Sequence, residues 1–322
     1  MTSDLPQQRH RALVMLLLAT LFWGLSFPVV KAMGLLQAKI LPEASTWFST
    51  LYIVAPRFVL AAALMALWRP RAFWQFTAGE WKQGLMIGCF GAAGILLQND
   101  GLRYTAASTS AFLTQLYAIL IPVYLAVRAR RNPGPTVWVC GALVLAGVAI
   151  LGRFDWQSWQ FGRGEWETLL CSVFFMGQIL WLDKKEYAAS RPAQLSFIAF
   201  ATQGFIFAVL ALIATPGVTA LTAPWTSAPW VIMTLILTIF CTLGAYSLMN
   251  AWQPKISATE AGLIYCVEPI FGSMMALFLP AWLSGWGDVD YPNEMATFSL
   301  IVGGTLITVA NILIQLRRPR AG

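Results

Sequence analysis

Two ionisable residues lie deep inside long apolar stretches of this sequence and are its strongest candidates for chemistry. Arg57 lies near the middle of the second stretch, and Glu268 lies near the middle of the ninth. A charge at such a depth is costly, so an ionisable residue within an apolar helix is functional by default. The functional interpretation is that one or both line a solute path and meet a carboxylate or an ammonium group. The alternative is a structural ion pair, or an arginine that caps backbone carbonyl groups.

Aromatic and neutral polar residues form a second set of candidates. Trp23 lies at the middle of the first apolar stretch, whereas the other tryptophans lie near stretch ends or in loops. Its ring would stack on an aromatic or cationic solute, and helix packing is the alternative. The deep amide and phenol side chains are Gln115, Tyr117, Gln178, Tyr246 and Tyr265. Each needs a hydrogen-bond partner, which a polar cavity or a neighbouring helix would supply.

No residue pattern in the sequence predicts catalysis, a cofactor or a metal site. The only histidine, His10, lies in the N-terminal tail, which leaves no base for intramembrane serine proteolysis. The five cysteines are scattered through apolar stretches, where free cysteine behaves as a small hydrophobe. A Walker A motif is missing, and so are the charge rings or carbonyl filter of a channel. We therefore expect a protein that is not an enzyme and that uses no cofactor or metal ion.

The elements that carry these residues are predicted to be transmembrane helices. Charged residues make up only 11% of the chain, against about 25% in soluble domains, and 58% of the 322 residues are hydrophobic. A helix crosses the hydrocarbon core with roughly 20 apolar residues. Ten segments approximate this requirement, namely 13–33, 48–68, 83–99, 106–127, 137–152, 166–182, 194–214, 228–249, 257–280 and 296–315. The predicted fold class is an all-α integral membrane protein.

The positions of lysine and arginine predict how these segments are oriented. Of the 21 basic residues, 15 fall on one side, five on the other, and Arg57 lies within a segment. Cytoplasmic loops carry the excess of positive charge, so both termini are predicted to be cytoplasmic. The net charge of +7 reflects these short basic clusters between apolar stretches, and we predict no nucleic-acid partner.

The chain also contains a weak internal repeat. A shift of 151 residues aligns the third and fourth segments with the eighth and ninth, and a shift of 152 aligns residues 20–23 with 172–175. Each repeat has five segments, an odd number, so the second must enter the membrane from the opposite side, as in many transporters. The predicted domains are a cytoplasmic tail (1–12), a first five-helix repeat (13–152), an external linker (153–165), a second, inverted repeat (166–315) and a cytoplasmic tail (316–322).

Three amide side chains lie at segment ends and are candidates for a gate. Gln98 and Asn99 end the third segment on the outer side, and Asn250 ends the eighth on the inner side. Asn99 and Asn250 are related by the 151-residue shift. A related pair at opposite mouths suits gating, and helix capping at the membrane surface is the alternative.

Four motifs carry a family resemblance over essentially the whole chain. They are 21–31 (LFWGLSFPVVK), 56–58 (PRF), 102–113 (LRYTAASTSAFL) and 261–269 (AGLIYCVEP). In this order they resemble the EamA type of the drug/metabolite transporter superfamily. The chain is most similar to bacterial exporters of aromatic and other amino acids, which also extrude cationic aromatic compounds. The resemblance implies amino-acid efflux across a bacterial inner membrane.

The predicted function is export of small amphipathic metabolites, amino acids first, by alternating access around a midplane cavity. Its predicted partners are the lipid bilayer and the solute. The alternatives are an exporter of cationic aromatic drugs, a nucleotide-sugar-like carrier, which would need several deep basic groups, and a membrane enzyme. Glu268 is the first candidate for proton coupling, because a carboxyl group within the membrane can exchange a proton. The sequence leaves open whether protons are coupled, and it is compatible with a monomer.

Overall fold

The computed structural model describes residues 4–67, 74–132, 134–151, 161–256, 261 and 264–316. All regular secondary structure in these ranges is helical. The α-helices are α1 (Asp4–Ile40), α2 (Thr46–Leu67), α3 (Ala78–Gly101), α4 (Ala107–Thr114), α5 (Tyr117–Arg128), α6 (Pro135–Leu151), α7 (Arg163–Leu182), α8 (Pro192–Ala214), α9 (Val218–Thr222), α10 (Ala228–Ile236), α11 (Ala245–Trp252), α12 (Glu268–Gly287) and α13 (Phe298–Leu316). A π-helical segment, Leu237–Gly244, joins α10 to α11.

The protein is a multi-pass membrane protein. Six helical stretches of the described chain are long and apolar enough to cross a membrane, namely Gln8–Ile40, Thr46–Leu67, Ala107–Arg128, Pro192–Ala214, Ala228–Lys255 and Glu268–Gly287. Pro135–Ile150 and Phe298–Leu313 are apolar but shorter. Helical residues lie within all ten predicted segments. The number of crossings and their orientation nevertheless stay predictions.

The predicted domain boundaries differ in part from the helix ends. α1 begins at Asp4, inside the predicted tail 1–12. A helix satisfies its backbone hydrogen bonds internally and can continue into water, whereas hydropathy marks only its apolar part. Residues 152–160, 257–260 and 317–322 lie outside the described residues. They include most of the predicted linker, the start of the ninth segment and nearly all of the C-terminal tail.

The fourth predicted segment is not one continuous helix. Gln115 and Leu116 form a turn between α4 and α5. Cys266 and Val267 form a similar turn directly before α12, and they follow Gln115 and Leu116 by 151 residues. The predicted repeats are therefore interrupted at equivalent positions. Hydropathy does not distinguish a broken apolar helix from a continuous one, so the sequence analysis missed both turns.

The helices pack around one large apolar core. α1 packs on α11 and α12, α2 on α8, α3 on α7 and α8, and α4 on α7 and α12. α6 and α13 pack on each other and share a smaller apolar cluster with α4. This arrangement brings α1, α2, α3, α7, α11 and α12 around one central space.

Small residues allow the closest of these contacts. Gly84, Gly88 and Gly91 lie on the face of α3 that meets α8. A Cβ atom added to Gly88 would lie 2.6 Å from the Cβ of Thr202, which is much closer than van der Waals contact. The backbones of α3 and α8 can therefore approach as they do because these positions lack side chains.

We expect Gly88→Leu to destabilise the fold, because its side chain would enter occupied space between α3 and α8. Overpacking of this kind costs about 1–3 kcal/mol, and more where backbones cannot separate. The measurement is the thermal denaturation of the detergent-purified protein, together with its monodisperse yield. Gly141→Leu on α6 is the matched control, because an added Cβ there meets nothing within 4 Å. Equal stability of the two variants would show that the contact does not constrain the fold.

A charged contact joins the starts of α3 and α8 outside the predicted spans. The buried carboxylate of Glu80 accepts hydrogen bonds from Arg191 Nε at 2.8 Å and Nη2 at 2.9 Å. Glu80 also completes a capping box with Thr77 at the start of α3. The hydrogen bonds from Arg191 lower the pKa of Glu80 to about 2. The contact is therefore an ion pair throughout the neutral pH range.

Candidate functional site

A narrow cavity lies in the central space between the helices. Seven of the eight residues predicted to line a cavity lie along it, namely Trp23, Arg57, Tyr117, Gln178, Tyr246, Tyr265 and Glu268. Its volume is about 60 Å³. A cavity of about 150 Å³ in another protein binds benzene, so this space must widen to hold an aromatic solute.

Glu268 is the one acidic residue among the described residues that line this cavity. It is 7% exposed and is the first residue of α12, where the unpaired N–H groups of a helix favour a negative charge. Gln115 does not line the cavity, in contrast to the prediction. It lies fully buried in the turn between α4 and α5, where its Nε2 donates to Glu268 Oε2 at 3.1 Å. Gln115 therefore positions the carboxylate.

Arg57 is the one basic residue among the described residues of the cavity wall. Its Nη2 donates to the carbonyl oxygen of Cys241 at 3.1 Å, and its Nε donates to Thr242 Oγ1. Both acceptors belong to the π-helical segment, a feature that often occurs at functional sites. A guanidinium has five N–H groups, so three of those of Arg57 have no hydrogen-bond partner among the described residues. Arg57 and Glu268 form no ion pair with each other in the described structure.

Aromatic rings surround the space between these two charges. The Trp23 ring meets Tyr246 edge-on with centroids 5.3 Å apart, and it meets Tyr265 at 5.8 Å. The indole Nε1 of Trp23 is buried and has no hydrogen-bond partner among the described residues. An unpaired buried donor of this kind is costly unless a ligand or a water molecule accepts from it. Trp23 therefore offers both a ring face and a hydrogen bond.

The three predicted mouth residues lie in three different places. Gln98 lines the central cavity and donates to Thr114 Oγ1 at 3.1 Å. Its role at a mouth stays a prediction, and α3 continues past it to Gly101. Asn99 lines a second cavity at the end of α3. Asn250, on α11, donates to Ser196 Oγ at 2.9 Å.

The cavity wall follows the internal repeat of the sequence. Of its 14 lining residues, 12 form six pairs separated by 151 or 152 positions, namely Trp23 with Phe175, Ser26 with Gln178, Ile95 with Tyr246, Gln98 with Met249, Thr114 with Tyr265, and Tyr117 with Glu268. The sequence analysis did not predict Ser26, Ile95, Thr114 or Phe175 as cavity residues. The repeat register applied to the candidates it did name would have identified all four.

The chain is similar to known proteins in sequence and in fold. Residues 10–153 match the EamA-like transporter family. An uncharacterized transporter of Archaeoglobus fulgidus is 27% identical over 310 residues, which cover 94% of this chain and 85% of that protein. A structure titled only "Crystal structure of protein" shares the fold, with a TM-score of 0.56 at 14% identity over 92% of this chain and 95% of that one. These similarities support the drug/metabolite transporter superfamily for this chain.

Proposed function

We propose that this transporter exports small amphipathic metabolites, above all amino acids including aromatic ones, through the central cavity. The observation that carries the proposal is the composition of the cavity wall. One carboxylate, one guanidinium and a group of aromatic rings line the same space. A zwitterion with an apolar side chain needs these three kinds of partner.

Each part of such a solute has a counterpart in the cavity. Glu268 would receive the ammonium group, and the three free N–H groups of Arg57 would receive the carboxylate. Trp23, Tyr246 and Tyr265 would hold an aromatic or aliphatic side chain. Charge-assisted hydrogen bonds contribute about 1.5–3 kcal/mol each, which helps to offset the desolvation of the solute.

The cavity is less suited to the alternative solutes. A cationic aromatic drug would find Glu268 and the rings, but Arg57 would repel it. A nucleotide sugar carries several negative charges, and the described cavity wall offers only Arg57 as a positive partner. A membrane enzyme would need a nucleophile or metal beside the solute, and no group of three or more potential metal ligands occurs in the described residues.

Two inverted five-helix repeats are the architecture that we propose for this transport. Three observations support it, beginning with the six cavity pairs related by the repeat register. The second is the pair of turns at 115–116 and 266–267. The third is the helix packing, because exchange of the two halves converts the contact of α1 with α12 into that of α7 with α5. Residues 10–153, which match the family, nearly coincide with the first repeat.

Asn99 and Asn250 would take part in gates at opposite ends of the cavity. Asn250 donates to Ser196, the fifth residue of α8. Counted from the helix start, the corresponding residue of α2 is Thr50, also the fifth, so Asn99 and Thr50 would form the corresponding pair. In this structure Thr50 donates instead to Asp100, and Asn99 Nδ2 has no partner among the described residues. We infer that the inner gate is closed here and the outer gate is open.

The family resemblance and the charge pattern support a bacterial inner-membrane location. Export of amino acids by bacteria takes place across the inner membrane, and the distribution of basic residues supports cytoplasmic termini. With the inner gate closed, the cavity of this structure would face the periplasm. Glu268 would be the proton carrier if transport is coupled to a proton gradient.

Counterflow in proteoliposomes tests the proposed function. Liposomes loaded with unlabelled phenylalanine should accumulate labelled phenylalanine or tryptophan in a saturable manner, and protein-free liposomes should not. Exchange of phenethylamine without exchange of phenylalanine would favour the cationic alternative. Absence of saturable exchange with any amino acid would refute the proposal, and an imposed pH gradient tests proton coupling.

A further inference from the structure

A second cavity lies at the end of the bundle where α1 and α3 end and α2 begins. Its volume is about 220 Å³, larger than that of the central cavity. Its polar lining residues are Lys31, Thr46, Thr50, Asn99, Arg103 and Tyr104. Among the described residues, no acidic side chain lines it. This outer cavity therefore carries a net positive charge.

Several hydrogen-bond donors of the outer cavity have no partner. Asn99 is 6% exposed, and its Nδ2 is unpaired in the described structure, as is the buried Nη1 of Arg103. Lys31 donates to the carbonyl oxygen of Thr105, which leaves two of its three N–H groups for another acceptor. Donors left unpaired in a buried place are costly, so the arrangement favours a ligand with acceptor atoms.

The carboxylates near the outer cavity are already engaged elsewhere. Asp100 accepts from Thr50 Oγ1 at 2.8 Å and forms an ion pair with Arg163. Glu294 interacts electrostatically with Lys31. Its carboxylate already accepts hydrogen bonds from the backbone N–H of Ala107 at 2.7 Å and from the hydroxyl group of Ser108. The positive charge of Arg103 is therefore not neutralised by an ion pair within the described residues.

The outer cavity lies about one helical turn from the central one. On α1, Ser26 lines the central cavity, and Val30, one turn further, lines the outer cavity. On α2, Arg57 lines the central cavity, and Ile53, one turn earlier, lines the outer cavity. α3 likewise contributes to both. A solute that leaves the central cavity toward this end would pass through the outer one.

We propose that the outer cavity is a separate subsite that binds an organic carboxylate through Arg103, Lys31 and the Asn99 amide. The inference rests on the proposed function, in which the carboxylate belongs to the transported solute. The subsite would receive the carboxylate of the solute after Arg57 has released it. Closure of the outer gate, with Asn99 donating to Thr50, would then remove one donor and expel the solute.

A transport experiment tests the subsite with a matched pair of solutes. Lys31→Met combined with Arg103→Gln should weaken the apparent affinity for phenylalanine about tenfold, because charge-assisted hydrogen bonds are lost. Inhibition of this phenylalanine exchange by phenethylamine, which lacks the carboxylate, should be unaffected. Lys39→Gln is the control for loss of a positive charge at this end, since Lys39 binds Asp288 outside the cavity. An equal loss for both solutes, or no loss for either, would overturn the inference.

A binding experiment keeps the subsite separate from the proposed function. Phenylacetate should raise the melting temperature of the detergent-purified protein, measured against sodium chloride at equal ionic strength. The stabilisation should persist in Lys39→Gln and disappear in the double variant. This result would stand even if no amino acid were transported. Stabilisation by chloride as strong as that by phenylacetate, or retained in the double variant, would refute a carboxylate subsite.

Discussion

Glu268→Gln should reduce amino-acid counterflow by at least about tenfold while leaving the folded yield intact. The amide has nearly the size of the carboxylate and can still accept from Gln115, so the turn before α12 should be preserved. What disappears is the negative charge that faces the solute ammonium group. Loss of a charge-assisted hydrogen bond of about 1.5–3 kcal/mol corresponds to roughly tenfold to a hundredfold in affinity.

The control for this variant is Glu43→Gln, which removes the same charge from an exposed position between α1 and α2. It should transport like the unmodified protein. Counterflow, size-exclusion profile and melting temperature should be measured together for both variants. Normal transport by Glu268→Gln would exclude Glu268 from the solute site, whereas a poorly folded protein would indicate that its contact with Gln115 is structural.

A disulfide across the proposed inner gate should stop transport completely and reversibly. The variant is Ser196→Cys with Asn250→Cys, in a background where the exposed Cys89 is replaced by alanine. The two side chains are already in contact, through a hydrogen bond of 2.9 Å. Oxidation should therefore be rapid without solute, and alternating access requires that α8 and α11 separate at this end. Counterflow should vanish on oxidation and return on reduction.

The outer pair provides the complementary measurement. Thr50→Cys with Asn99→Cys should cross-link slowly in the resting protein, because Thr50 is bonded to Asp100 in this structure. Phenylalanine should accelerate the cross-link, since the solute drives the cycle through states with the outer gate closed. The single-cysteine variants control for oxidation itself. Full counterflow with the inner disulfide in place would disprove the gate.

The sequence by itself determined that lipid surrounds the helices and that two charged residues lie deep within apolar segments. A chain with 58% hydrophobic residues cannot bury them in one core, so lipid is their environment. Arg57 and Glu268 were identified as site candidates because they are ionisable residues deep within apolar segments, and both line the central cavity. The family resemblance, read from motifs such as that around Glu268, agrees with the superfamily that the comparisons support.

Only the tertiary structure decided which of the candidate side chains meet. Helices that are hydrophobic all round carry no periodic pattern to indicate the rotation that faces a cavity. The sequence therefore did not reveal that Gln98 lines the central cavity or that Gln115 lies behind Glu268. It also could not bring Lys31, Asn99 and Arg103 together, because their meeting depends on how α1, α2 and α3 pack. Side-chain contacts between helices are set by that packing, which local sequence does not encode.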